Sequence, residues 1–72
     1  MTRHVRLKTN RTPSGYANAT LSRFFNYSDN RINYGFQFYN DNKYFNHHNE
    51  LRSYVLEKYD VDIGERKQFW GL

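Results

Sequence analysis

The segment 32–39 constrains the fold more than any other part of the chain, because its side chains alternate in type. Large apolar side chains stand at every second position, namely Ile32, Tyr34, Phe36 and Phe38. The positions between them hold Asn33, Gly35, Gln37 and Tyr39. Successive side chains of a strand point to opposite faces, so this pattern predicts an antiparallel strand with one face buried under a helix. The face with Asn33, Gln37 and Tyr39 is expected to be exposed.

The chain before residue 31 favours two further strands. Residues 1–9 alternate, with Arg3, Val5 and Leu7 on one side and the basic residues His4, Arg6 and Lys8 on the other. Pro13 marks a turn or loop within 9–15. The segment 16–27 fits either a helix or a strand, since its alanines favour a helix and the aromatic residues near its end favour a strand. We expect a strand there, followed by a turn over 27–31.

A helix is predicted over 46–59, with Asn46 as its N-cap. Spacings of three and four residues place one apolar stripe on this helix: Leu51, Tyr54, Val55 and Tyr59. Residues 40–43 are expected to form a hairpin turn before it, with a short return strand beginning at Tyr44. The tail 65–72 is expected to be either a final strand or a short helix that docks on the core.

These elements predict one α+β domain over 1–72, in which a small antiparallel sheet of three to four strands is covered on one face by one helix. Only ten aliphatic residues are present beside six Phe, seven Tyr and one Trp, so aromatic rings must supply much of the core. Its expected centre is Leu21, Ile32, Phe36, Phe38, Leu51 and Val55. A domain of this size gains only about 3–5 kcal/mol from its core. A homodimer is therefore a further possibility.

The charge of the chain is divided between a basic N-terminal half (1–31) and the helix-bearing C-terminal half (32–72). The first half carries six Lys/Arg and one acid, for a net charge of +5, and the second half a net charge of −1. A basic surface attracts polyanions, most often nucleic acid. The candidate phosphate-binding residues are Arg3, Arg6, Lys8, Arg11, Arg23 and Arg31. The candidate stacking residues are Tyr16, Tyr27 and Tyr39.

The sequence thus predicts a small non-enzymatic protein whose basic, aromatic-interleaved half binds nucleic acid, with single strands favoured. Gly35 supports this hypothesis, because a glycine within an aromatic strand lets a ligand approach the backbone closely. The alternative is a protein-binding module, since Tyr and Arg are the residue types that anchor protein interfaces. In length and in its Tyr- and Asn-rich composition the chain is similar to short phage accessory proteins that inhibit or modulate a host protein or defence complex.

Few residues suggest catalysis or metal binding. The chain has no cysteine, which excludes disulfides, Cys-based zinc sites and thiol chemistry. The pair His47-His48 followed by Glu50 is expected to be an exposed first helical turn, because adjacent helical residues diverge by about 100° and cannot converge on one ion. No apolar stretch approaches the roughly 20 residues that span a bilayer. We expect no metal, no cofactor and no membrane contact, and a cytoplasmic location.

Overall fold

The computed structural model describes residues 1–72 and contains one four-stranded sheet and two helices. The elements are β1 (Thr2–Lys8), β2 (Tyr16–Asn26), β3 (Arg31–Phe38), β4 (Asp41–Phe45), α1 (His48–Tyr59) and α2 (Arg66–Trp70). The strands are antiparallel and follow one another in the order β1-β2-β3-β4. Both helices bury residues against the same face of the sheet. The predicted α+β fold is confirmed, and neither helix is long and apolar enough to cross a membrane.

The segment whose structure was open, 16–27, is a strand. It pairs along both edges, with Val5 of β1 opposite Ala19 and with Phe36 of β3 opposite Leu21. Ala19 and Leu21 are fully buried. Pairing on both sides of a central strand outweighs the weak helical preference of its alanines.

The hairpin turn between β3 and β4 is shorter than the predicted one. It consists of Tyr39 and Asn40 only, since Phe38 already pairs with Asp41. Tyr39 accommodates the reversal in the left-handed region, with φ of 54°. The prediction of a turn over 40–43 is wrong because Asp41, despite its turn-like chemistry, is held in β4 by hydrogen bonds from α1.

Those hydrogen bonds join the sheet to the C-terminal half of α1. The Oδ2 atom of Asp41 accepts bonds from the hydroxyls of Tyr54 and Tyr59, each at 2.6 Å, and from Lys58 Nζ at 3.0 Å. Burial alone would raise the pKa of Asp41, but these donors outweigh it and lower the pKa to about 2. Burial and the bond to Asp41 raise the pKa of Tyr59 to about 12.

The helix α1 begins one residue later than predicted, with His47 as its N-cap. The backbone N–H of His47 donates to Glu50 Oε1 at 3.2 Å. Asn46 does not cap the helix, because its side-chain oxygen accepts a hydrogen bond from Asn33 Nδ2 at 2.9 Å. Asn33 also accepts from Asn26, so it is buried rather than exposed as predicted.

The tail forms a short helix, and its Trp70 is fully buried. Of the expected core, Leu21, Phe36, Phe38, Leu51 and Val55 are buried. Ile32 is only partly buried, because it lies at the end of β3 where it lines an open cleft. The core also contains Tyr34, which the alternation of the 32–39 segment placed on the buried face, and three residues that the sequence did not place at its centre: Leu7, Ala19 and Trp70.

Candidate functional site

The sheet face opposite the helices, here called the open face, is covered by no other element. It presents the alternate residues of each strand: Thr2, His4, Arg6, Lys8, Tyr16, Asn18, Thr20, Ser22, Phe24, Asn26, Arg31, Asn33, Gly35, Gln37, Asn42 and Tyr44. None of these is Asp or Glu, whereas Arg and Lys occur among them. The open face is therefore a surface on which no fixed negative charge repels a polyanion.

Cations and an aromatic ring meet at the end of the open face nearest the β1–β2 loop. Lys8 lies directly opposite Tyr16 in the register of β1 and β2. The guanidinium carbon of Arg6 stands 4.7 Å from the centre of the Tyr16 ring. This contact holds Arg6 in place while its N–H groups stay available, because Arg6 is exposed and makes no ion pair.

Two more aromatic side chains stand toward the opposite end of the open face. The rings of Phe24 and Tyr44 meet edge to face with centroids 6.2 Å apart. Phe24 is 36% exposed and Tyr44 is 76% exposed. Tyr16 and Phe24 are eight residues apart on one strand, about 26 Å at about 3.3 Å per residue. That length accommodates several stacked nucleotides at about 3.4 Å each.

Gly35 has a different role from the predicted one. It lies between Ser22 and Tyr44 on the open face, and an added Cβ would stand 2.7 Å from Ser22 Oγ and 3.4 Å from the Tyr44 ring. The space beside the glycine is thus filled by this chain's own side chains rather than left free for a ligand. The glycine allows the Tyr44 ring to lie over the strand.

A cleft of about 730 Å³ opens where the sheet end that carries the β2–β3 turn meets the helices. We call it the basic cleft. Five of its lining residues are cationic and one is acidic: Arg23, Arg31, Arg52, Arg66 and Lys67, with Glu65. The first two come from the sheet, the third from α1 and the last two from α2. The remaining lining is largely polar, with Asn46, His47, His48 and Asn49 from the beginning of α1 and the preceding loop.

Only one of these cations is neutralised within the protein. Arg52 donates two hydrogen bonds to Asp62, from Nε at 2.6 Å and from a terminal nitrogen at 2.9 Å. The bond from Arg52, helped by the N–H of Gly64, lowers the pKa of Asp62 to about 2. The other four cations have no carboxylate within 4.0 Å, and the buried Nε of Arg23 has no hydrogen-bond partner.

His48 is a structural residue beside the cleft, not the exposed side chain that was predicted. It is 3% exposed, and its Nδ1 accepts a hydrogen bond from the indole N–H of Trp70 at 3.0 Å. An indole nitrogen can only donate, so the proton of the imidazole is on Nε2, which donates to the carbonyl of Gly64 at 2.8 Å. These two bonds fasten α1 to α2 and to the loop between them.

The structure divides the sequence-predicted site residues among several places. Arg6, Lys8 and Tyr16 share the open face, and Arg23 lines the basic cleft. Arg31 lies at the end of the open face and also lines the cleft. Arg11 stacks on Tyr39 at 4.7 Å, beyond the end of the sheet, where the β1–β2 loop meets the β3–β4 turn. Arg3 projects toward the helices, beside Gly71. Tyr27 is 88% exposed in the β2–β3 turn, with its ring 4.9 Å from that of Phe25.

Sequence reasoning missed five residues of these two surfaces: Phe24, Tyr44, Arg52, Arg66 and Lys67. The period of two in β2 places Phe24 on the same face as Tyr16, so that signal was present in the sequence. Arg52, Arg66 and Lys67 were missed because the acidic residues of the C-terminal half give that half a negative net charge. Comparison with models of known protein families, with curated proteins and with solved structures finds no match.

Proposed function

We propose that this protein binds single-stranded nucleic acid on the open face of its sheet. The observation that carries the proposal is the composition of that face, where exposed aromatic rings and Arg/Lys occur together without a carboxylate. Single-strand binders combine a cationic path for phosphates with aromatic side chains on which bases stack.

The open face supplies both kinds of contact. Arg6 and Lys8 have free N–H donors for phosphate oxygens, and Arg6 is already oriented by Tyr16. Tyr44 and Phe24 offer ring surface to bases, which stack with any aromatic side chain. A double helix presents its bases edge-on within grooves, so flat ring contacts of this kind favour unpaired strands. No step of this function requires a covalent reaction.

Polar side chains around Tyr44 add hydrogen-bonding capacity. Thr20, Gln37 and Asn42 border a shallow pocket of about 70 Å³ beside the Tyr44 ring. Hydroxyl and amide groups both donate and accept, so they suit the edges of any base. They support binding with little sequence preference.

The proposal is tested by fluorescence anisotropy with labelled single-stranded RNA, single-stranded DNA and duplex DNA. Phe24→Ala and Tyr44→Ala should each weaken single-strand binding by about 1–3 kcal/mol, the range for one lost base stack. Leu56→Ala is the control, since Leu56 is a comparably exposed apolar residue, 44% exposed, that lies on α1 outside both surfaces. The wild-type affinity should fall steeply between about 50 mM and about 200 mM salt.

Equal effects of Phe24→Ala and Leu56→Ala, or tighter binding of duplex than of single strands, would contradict the proposal. Each variant is first compared with wild type by circular dichroism and thermal unfolding, so that lost binding is not confused with lost folding.

A second candidate is binding to an acidic protein partner, which the same observation supports. A surface with Tyr, Arg and Lys and no carboxylate complements an acidic protein as well as it does a phosphate backbone. A partner of this kind would be retained after nuclease treatment and at moderate salt, and its binding would also require Arg6 and Tyr44. In this case the protein would bind a host protein or defence complex and inhibit or modulate it.

A further inference from the structure

We propose that the basic cleft is a second, separate binding site, which takes a ligand with two or more adjacent phosphate groups. Its lining joins residues far apart in the sequence, from β2 and β3 on one side and from α2 on the other. Binding in the cleft does not require binding on the open face.

The balance of charge sets the chemistry of the ligand. Arg23, Arg31, Arg66 and Lys67 face the cleft without a carboxylate partner, while Glu65 is the one acid that lines it. Like charges gathered in one cleft raise its positive potential and attract anions. Four unpaired cations exceed what the single charge of one phosphodiester can neutralise, and they match adjacent phosphates.

Arg23 provides an independent sign that a partner is missing. Its Nε is buried and donates no hydrogen bond. A buried N–H of a guanidinium without a partner is costly, and native proteins rarely leave one unused. An acceptor reaches this atom only when the Arg23 side chain shifts toward the cleft that it lines, and a phosphate oxygen is an acceptor of suitable charge.

The walls of the cleft are held in place before any ligand binds. His48 bridges Trp70 and Gly64, and Arg52 is clamped on Asp62 by two hydrogen bonds. These contacts fix α1, α2 and the loop between them. A preformed site loses less conformational entropy on binding than a flexible one.

An aromatic pair next to the cleft indicates that the phosphates belong to a nucleotide unit. Phe25 lies opposite Ile32 in the sheet register, and Ile32 lines the cleft. Phe25 is 42% exposed, and its ring meets that of Tyr27 edge to face. A base attached to phosphates in the cleft would reach these rings and stack on them. The ligand is thus a free nucleoside polyphosphate or the 5′-phosphorylated end of a strand.

Isothermal titration calorimetry with inorganic tripolyphosphate and with ATP tests the site. The double variant Arg66→Gln/Lys67→Gln should weaken the binding of both by about tenfold or more, since phosphate affinity depends on the number of cations that neutralise it. The matched control Arg6→Gln/Lys8→Gln removes the same charge from the open face and should change either affinity less than about twofold.

Glu65→Gln tests the same site through an expected increase in affinity. This residue precedes α2 and its side chain caps no backbone group, so the substitution leaves the fold intact. Removing its negative charge from the cleft should tighten tripolyphosphate binding by about threefold. ATP should bind more tightly than tripolyphosphate, and Phe25→Ala should remove that difference.

Oligonucleotides distinguish the two sources of phosphate. A 5′-phosphorylated strand that binds more tightly than both ATP and its 5′-hydroxyl form identifies a strand end, and tighter binding of ATP identifies a free nucleotide. Either result supports the site. No binding of tripolyphosphate or ATP by the wild type, or equal losses in the cleft and control variants, would overturn it. Phe24→Ala affects only the open face, so failure of one proposal is distinguishable from failure of the other.

Discussion

At the scale of single residues, Asp41 accepts hydrogen bonds from more residues than any other carboxylate of this protein. One of its oxygen atoms accepts hydrogen bonds from Tyr54, Lys58 and Tyr59 of α1. The ionised form is required for this arrangement, since a protonated carboxyl group would lose most of the electrostatic attraction to Lys58. Stability in acid should therefore depend on this side chain.

We expect the free energy of unfolding to fall as the pH drops from about 3.8 to about 2. Asp41 and Asp62 both have lowered pKa values in the folded state, so the unfolded chain takes up protons first and is favoured in acid. Urea unfolding followed over this pH range measures the effect.

Asp41→Asn should reduce the free energy of unfolding at neutral pH by about 1–3 kcal/mol. It should also make the free energy of unfolding fall less steeply as the pH drops. Glu57→Gln is the control, because Glu57 is exposed and makes no ion pair. If the free energy of unfolding of Asp41→Asn fell as steeply in acid as that of wild type, Asp41 would not be the group that titrates.

At the scale of elements, the short helix α2 is held by one buried side chain. Trp70 packs against Tyr34, with ring centroids 5.8 Å apart, and its N–H bonds to His48 at the start of α1. A helix of five residues has almost no stability of its own, so this docking determines whether α2 forms. The wall of the basic cleft that carries Arg66 and Lys67 depends on it.

Trp70→Phe should lower the free energy of unfolding by about 1–3 kcal/mol through the hydrogen bond alone, because it leaves Nδ1 of His48 buried without a donor. Its smaller ring adds a further loss from imperfect packing. The double variant Trp70→Phe/His48→Phe lacks both the donor and the acceptor of this hydrogen bond. Its decrease in the free energy of unfolding should therefore be smaller than the sum of the decreases in the two single variants. Strict additivity in chemical denaturation would show that the bond contributes no coupling energy.

At the scale of the whole molecule, a small aromatic core supports two separate charged surfaces. The nine buried apolar residues include only three Leu, one Val and one Ala, and the other four are aromatic: Tyr34, Phe36, Phe38 and Trp70. Phe36, for instance, contacts both Tyr54 and Tyr59. A core of this size supplies so little stability that the loss of one buried side chain can unfold the domain.

Leu51→Ala should cost about 2–5 kcal/mol, which is comparable to the whole stability expected for a domain of this size. We expect the cooperative thermal transition to be largely lost. Leu56→Ala, on the same helix but at a side chain that is 44% exposed, should change the midpoint little. A midpoint unchanged by Leu51→Ala would contradict the central position of this residue.

Local patterns were sufficient to predict most of the fold. Alternation identified β1 and β3, and the three- and four-residue spacing identified the buried stripe of α1 through Leu51 and Val55. The local signals misled at Ile32, where the strand ends beside an open cleft, and at three positions where a distant partner competed for the side chain. Asn46 bonds to Asn33 instead of capping the helix, Asp41 bonds to α1 instead of forming a turn, and His48 bonds to Trp70 instead of facing solvent.

The sequence by itself determined that the chain forms a small antiparallel sheet with a covering helix, and that positive charge exceeds negative charge in its first half. It determined these because strand and helix periodicities and charge counts depend on near neighbours. Only the tertiary structure decided which charges act together. The antiparallel sheet and the docking of α2 bring Arg23 and Lys67 to one cleft although 44 positions separate them, and the same folding sends Arg3, Arg6 and Arg11 to three different places. Electrostatic potential depends on distance in space, and a count along the chain does not contain that distance.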